Sequence, residues 1–93
     1  MNIAKLLDKA RETRSLPSDM ALAAQIGVSR SIVSEWRKGT KPVPDERVCE
    51  LAKMAGEDAG EWLLAIHSED RGPAGRAWRG LQQRLAFAAM HIM

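Results

Sequence analysis

Apolar positions along this chain recur at helical spacing and nowhere alternate, so the pattern predicts helices throughout and no sheet. Ile3, Leu6, Leu7 and Ala10 mark the inner stripe of a first helix over 2–13, which Ser15-Leu16-Pro17 breaks. Ser18 offers an N-cap for a second helix, Asp19 lies in its first turn, and Leu22, Ala23 and Ile26 form its inner stripe. Gly27 is placed to end that helix in a left-handed conformation. Ser29 caps a third helix running to about Lys38, which Gly39 closes and Pro42 and Pro44 prevent from continuing. A fourth helix starts near Asp45, carries Val48, Leu51, Ala52 and Ala55, and ends at Gly56. A fifth starts near Asp58 and carries Ala59, Trp62, Leu63 and Ile66. Residues 70–75 read as a linker, and a sixth helix covers roughly 76–91. The expected organisation is therefore a five-helix domain over 1–69, a linker over 70–75 and a C-terminal helical element over 76–93.

The second and third helices carry the most information. They are joined by Ile26-Gly27-Val28-Ser29, a tight turn that needs positive φ at glycine and apolar residues on both sides to lock its angle. Ala23 sits where the two helices would cross, and its small side chain permits close approach. At about 100° per residue, Ile32, Val33 and Trp36 of the third helix share one face, and Arg30, Ser31, Ser34, Glu35, Arg37 and Lys38 share the other. Short serines beside arginine let a helix approach a surface closely, and arginine offers a two-pronged donor to guanine. A helix lying in a DNA major groove needs that combination. Trp36 points inward by its angle and is expected in the core, as is Trp62.

A chain of 93 residues allows one small domain and excludes a two-domain enzyme with a cleft. Its net charge of +2 conceals a segregation. Residues 1–41 carry eight Lys/Arg against four Asp/Glu, residues 42–70 carry two against eight, and residues 71–93 carry four Arg and no acid. A basic first part suggests that a polyanion faces it. One cysteine, Cys49, excludes an intramolecular disulfide and fits a reducing compartment. No apolar run approaches membrane-spanning length and no secretory stretch opens the chain, so a cytoplasmic setting is expected. Cys49 has no basic neighbour in sequence to activate it, and His67 and His91 lack ligand spacing, so neither metal nor cofactor is expected. The serines have no adjacent histidine and no phosphate-cradling glycine loop occurs, so no catalytic residues are assigned and the chain does not read as an enzyme.

The stretch Leu22-Ala23, Ile26-Gly27-Val28-Ser29-Arg30 and Val33-Ser34-Glu35-Trp36-Arg37-Lys38-Gly39, with proline downstream, resembles the helix-turn-helix of the phage repressor and Cro family, also called XRE-like. The resemblance covers about residues 2–66 and implies an all-α, five-helix lambda-repressor-like domain that binds double-stranded DNA. It implies base reading by Arg30, Ser31, Ser34 and Glu35. Glu35 either accepts from a cytosine amino group or orients Arg30 or Arg37. Phosphate contacts are implied at Arg37, Lys38, Thr40 and Lys41, and at Ser18 beside the start of the second helix. Ser29 is either a cap or a phosphate contact. Asp19 departs from the amide or polar residue usual there, and an acid would repel phosphate. The tail resembles the segment C-terminal to this domain in small DNA-binding proteins of filamentous phages and prophages.

In that tail Trp78, Leu81, Leu85, Ala88 and Ile92 recur at alternating spacings of three and four, a short heptad-like seam. Phe87 and Met90 lie off the seam, and Arg76, Arg79 and Arg84 occupy the rest. The expectation is homodimerisation through this seam, favoured over packing back on the domain and over contact with a membrane surface. The function expected is a phage-type repressor binding a palindromic operator as a dimer. The competing reading is a protein-interaction module, antitoxin-like or an inhibitor of a host or phage protein, using the exposed C-terminal helix.

Overall fold

The computed structural model describes residues 2–69 and 72–90. Among them six α-helices and no strand occur: α1 (Ile3–Thr13), α2 (Asp19–Ile26), α3 (Arg30–Lys38), α4 (Asp45–Ala55), α5 (Ala59–Ser68) and α6 (Pro73–Met90). The chain is all-α, as its periodicity predicts. Backbone contacts divide it into two compact units, Asn2–Ala59 and the segment from Gly60 onward, so α5 groups with α6. The expected grouping placed α5 with the first four helices instead.

In the first unit the helix ends follow local chemistry. Asn2, Ser18 and Ser29 each cap a helix, their side-chain oxygens accepting from the backbone N–H of Ala4, Ala21 and Ile32. The α2–α3 turn is the sharpest demand on the backbone. Gly27 adopts φ 76° and ψ 32°, and the Val28 N–H reaches back to the Ala23 carbonyl at 3.0 Å. A side chain at Gly27 would meet open space, so the conformation and not crowding requires glycine there. The same closure ends α1 with a serine in place of glycine: Ser15 has φ 53°, and the Leu16 N–H bonds the Arg11 carbonyl at 2.8 Å. Pro44 precedes α4 without a side-chain cap, and Asp45 and Glu46 in the first turn complement the helix dipole instead.

The capped helices present their apolar stripes to one another. α1 packs most extensively on α4 and also meets α3 and α2, while α2 and α3 pack together. Leu6 and Leu7 of α1, Leu22 of α2, Val33 of α3, and Val48 and Leu51 of α4 are fully buried in this core. Ala23 is 2% exposed, which fits a small residue at the helix crossing. Trp36 is also 2% exposed, as its angle on α3 predicts. Its indole is core and is not offered for stacking.

The unit from Gly60 is built differently. Trp62 of α5 is buried, and the Ser68 hydroxyl donates to the Leu64 carbonyl one turn back. Arg79 Nη1 donates to the Ser68 carbonyl at 2.6 Å, tying α6 to the end of α5. The His67 and Trp78 rings stack with centroids 4.9 Å apart and planes 19° from parallel. α6 begins at Pro73, three residues before the expected start, because proline suits the first helical position. Pro73–Gly75 therefore belong to the helix and not to a linker, and Asp70 and Arg71 lie outside the described residues. From Gln82 to Met90 every side chain of α6 is exposed. No described helix is long and apolar enough to cross a membrane.

Candidate functional site

The capping of α3 by Ser29 and its closure at Gly39 fix nine residues as a rigid rod with one committed face. Val33 and Trp36 are buried, and Ile32 is half-buried beside them. On the opposite side Arg30, Ser31, Ser34, Glu35 and Lys38 line one shallow depression. All four residues expected to read bases are thus brought together, with Lys38 at the rim. Arg30, Ser31 and Lys38 are exposed, and Ser34 and Glu35 are half-buried. Among the described residues neither Arg30 nor Lys38 makes an ion pair, so both cations are available to an anion or to acceptor groups.

Arg37 does not belong to this set. The sequence places it on the polar side of α3, and the resemblance implies a phosphate contact; in the structure its guanidinium is turned to carboxylates of the same chain. Its guanidinium engages Asp19 through two bonds, Nε to Oδ2 at 2.7 Å and Nη2 to Oδ1 at 2.9 Å. Nη2 also lies 2.7 Å from Oδ1 of Asp8, and Nη1 donates to the Ala4 carbonyl at 3.4 Å. Only 23% of the side chain is exposed. One arginine therefore ties α3 to α2 and α1, using the planar fork that lysine lacks. Hydrogen bonds donated to Asp19 raise the Arg37 pKa above the ordinary arginine range, partial burial works the other way, and Asp8 adds to the rise. The hydrogen bond from Arg37 likewise holds Asp19 below the ordinary carboxylate range against the cost of burial, with Arg11 contributing at 3.2 Å.

That pairing changes the picture at the start of α2. An unpaired acid at Asp19 would repel phosphate, but Asp19 is bracketed by Arg37 and Arg11. Ser18 caps α2 by accepting from Ala21, which leaves its hydroxyl hydrogen free to donate elsewhere. Ser29 likewise caps α3, its Oγ accepting from Ile32 at 3.2 Å, and its exposed hydroxyl keeps its hydrogen to donate. At the other end of α3, Thr40 folds back: its N–H and its hydroxyl both bond the Glu35 carbonyl, at 3.1 and 3.3 Å. Lys41 comes next, with Nζ 3.6 Å from Oε2 of Glu35 and about half of each side chain exposed. Thr40 and Lys41 are thus set beside the polar face, each already in contact with Glu35.

One residue that organises this region carries no signal at helical spacing. Arg47 of α4 donates from Nη1 to the Ile26 carbonyl at 2.7 Å and to Glu50 Oε1 at 2.8 Å. It satisfies a terminal carbonyl of α2 and places a cation at that helix's negative end. The partners lie 21 residues apart, too far for local pattern to connect them. No protein-family model matches this chain, and no curated protein and no solved structure is significantly similar to it. The site is therefore read from its own geometry.

The expected seam on α6 divides in two. Trp78 is half-buried against His67, and Leu81 is half-buried, so these two are engaged within the chain or partly shielded. Leu85 is 53% exposed and Ala88 is exposed. Ile92 lies outside the described residues. Phe87 and Met90, off the seam, are 64% and 74% exposed.

Proposed function

We propose that this chain is a sequence-specific DNA-binding regulator of the phage-repressor type, with α2 and α3 acting as a helix-turn-helix and α3 entering the major groove. The observation that carries the reading is the exposed polar face of α3. Arg30, Ser31, Ser34, Glu35 and Lys38 line one depression, while Val33 and Trp36 lock the opposite side into the core. A helix so held presents its polar side chains at fixed positions, which base reading requires. Arg30 would face guanine acceptors, Ser31 and Ser34 would allow close approach, and Lys38, Thr40, Lys41 and Ser18 would meet phosphates. Arg37 takes no part in contact; it sets the angle of α3. The setting that suits this role is cytoplasmic, and no cofactor is invoked.

One helix in one groove buries little surface, so tight binding calls for two-fold symmetry and two α3 helices about 34 Å apart on a palindrome. The exposed part of α6, with Leu85 and Ala88, is the proposed self-association element. A salt titration of binding to duplex DNA tests the reading: affinity should fall linearly on a log–log plot as counterions are released. A chain that binds no duplex at low salt is not a DNA-binding protein. The exposed Leu85, Phe87 and Met90 would then favour the second reading, a module whose α6 binds another protein.

A further inference from the structure

We propose that the side of α6 carrying Phe87 and Met90, away from the expected seam, docks on an anionic lipid surface. Its arginines meet the headgroups, and the two apolar side chains enter the boundary with the acyl chains. This contact is independent of the DNA-binding role, because it uses only the unit from Gly60 onward. Residues 73–90 carry Arg76, Arg79 and Arg84 and no acid. Residues 85–90 read Leu-Ala-Phe-Ala-Ala-Met, and every one of them is exposed. At about 100° per residue, Phe87 lies about 160° around the helix from Leu85, and Met90 about 140°. A second copy seated on Leu85 and Ala88 therefore does not reach Phe87 and Met90, which are 64% and 74% exposed.

The charges on the same side decide the partner. Arg76 and Phe87 are eleven positions apart, as are Arg79 and Met90. Each pair therefore falls within about 20° of one line along the helix, about 16.5 Å apart on it. One side of α6 thus runs from basic to apolar, with Gln83 between. A second copy on this side would bring three more arginines and no acid, so like charges oppose it. A duplex would take the arginines but has no apolar layer for a phenyl ring and a thioether. A protein groove reads a helix through apolar anchors at i, i+3 or i+4, and i+7. This side supplies one such step, from Phe87 to Met90, because Gln83 and Arg84 occupy the preceding turn. An anionic lipid surface supplies both layers at once: acidic headgroups attract arginine, and the boundary beneath takes apolar side chains to a depth of about 5–10 Å. Long arginine stems keep the charge among the headgroups while the apolar end dips inward. A tilt of about 30° to the surface would set the two ends of that line about 8 Å apart in depth. The contact is interfacial, since no described helix is long and apolar enough to cross a membrane.

The test is co-sedimentation of the full chain with vesicles of phosphatidylcholine alone and of phosphatidylcholine mixed with phosphatidylglycerol. Binding should favour the anionic vesicles and weaken as salt rises. Arg76→Gln and Arg84→Gln should each lower binding to anionic vesicles about fivefold. Arg79 is left in place because it holds the Ser68 carbonyl. Phe87→Ser combined with Met90→Ser should lower binding about tenfold or more. Helix content by circular dichroism should not change, because both side chains are exposed. Arg30→Ala combined with Lys38→Ala should bind vesicles like the parent. A parent that binds no anionic vesicle at low salt overturns the proposal, as does one that binds both kinds of vesicle equally. Loss of vesicle binding in the α3 variant, with the α6 variants unaffected, would put the basic face of α3 on the lipid instead. Self-association in vesicle-free solution that is abolished by Phe87→Ser with Met90→Ser would give this side to a second copy and equally overturn the proposal. A parent that binds anionic vesicles but no duplex keeps the lipid contact and removes the DNA-binding role.

Discussion

α3 and α6 are both amphipathic helices that carry arginine and an aromatic residue, yet their apolar faces meet different ends. In α3, Val33 and Trp36 are buried and Arg37 is clamped by two carboxylates. In α6, Leu85, Phe87 and Met90 stay more than half exposed, and residues 73–90 carry Arg76, Arg79 and Arg84 but no acid. Amphipathicity states only that a helix has a face to bury. Whether the face is buried depends on neighbours of matching shape and charge. α3 has α1 and α2 beside it, with Asp8 and Asp19 at its rim. The contrast predicts that substitutions on α3 split cleanly between stability and binding, and that substitutions on the outer half of α6 touch assembly alone.

The largest expected effect is that of Trp36→Ala, a loss of about 3–5 kcal/mol of unfolding free energy, because the indole fills the core. The matched change Phe87→Ala on α6 should cost about 0.5 kcal/mol or less. Urea unfolding of the two variants tests the contrast directly; equal costs would erase it.

Next comes the clamp. Asp19→Asn should cost about 1–2 kcal/mol, since a charge-assisted, largely shielded contact to Arg37 is weakened while Asp8 remains. The pH dependence has a definite sign. Asp19 is more acidic folded than unfolded, so the unfolded chain binds more protons and stability rises with pH. The contribution is complete above the ordinary aspartate value of about 3.9 and is lost as pH falls through the lower folded value. Unfolding curves from pH 7 down to 2 should therefore bring parent and Asp19→Asn together at the acid end. A gap that persists unchanged would mean that Asp19 acts by shape and not by charge.

The two arginines of α3 sharpen the comparison within a single helix. Arg30→Ala should cost about 1–3 kcal/mol at the preferred DNA site and change unfolding by about 0.5 kcal/mol or less. Arg37→Ala should do the reverse in kind, lowering stability first and binding only as α3 loses its angle. Parallel titrations by fluorescence anisotropy and by urea separate the two, and identical profiles would contradict the division of the helix into contact and clamp.

Leu85→Gln should likewise leave stability within about 0.5 kcal/mol of the parent. Its consequence should be seen in sedimentation, where a dimeric parent becomes a monomer at micromolar concentration. Affinity for a palindrome should drop toward that for a half-site. A parent that sediments as a monomer removes α6 from this role.

Legible and illegible features of the chain divide by distance along it. Ser18, Ser29, Gly27 and Gly39 act on backbone groups within five residues, so the ends of α2 and α3 could be placed from sequence, and the 3.6-residue period put Trp36 inside. The pattern predicts α6 to start three residues late, because Pro73 reads as a breaker although it opens the helix. The polar face of α3 was legible for the same local reason, with Arg37 the exception. Its angle puts it among the contact residues, and nothing within a few turns marks Asp19, 18 residues away, as its partner. The Arg47 bond to the Ile26 carbonyl spans 21 residues and is equally silent in the pattern. Helix ends and faces arise from interactions that close within a turn or two. Ion pairs such as Arg37 with Asp19 exist only once α1, α2 and α3 have packed, so tertiary structure alone decided which arginine of α3 is clamped and which stays exposed.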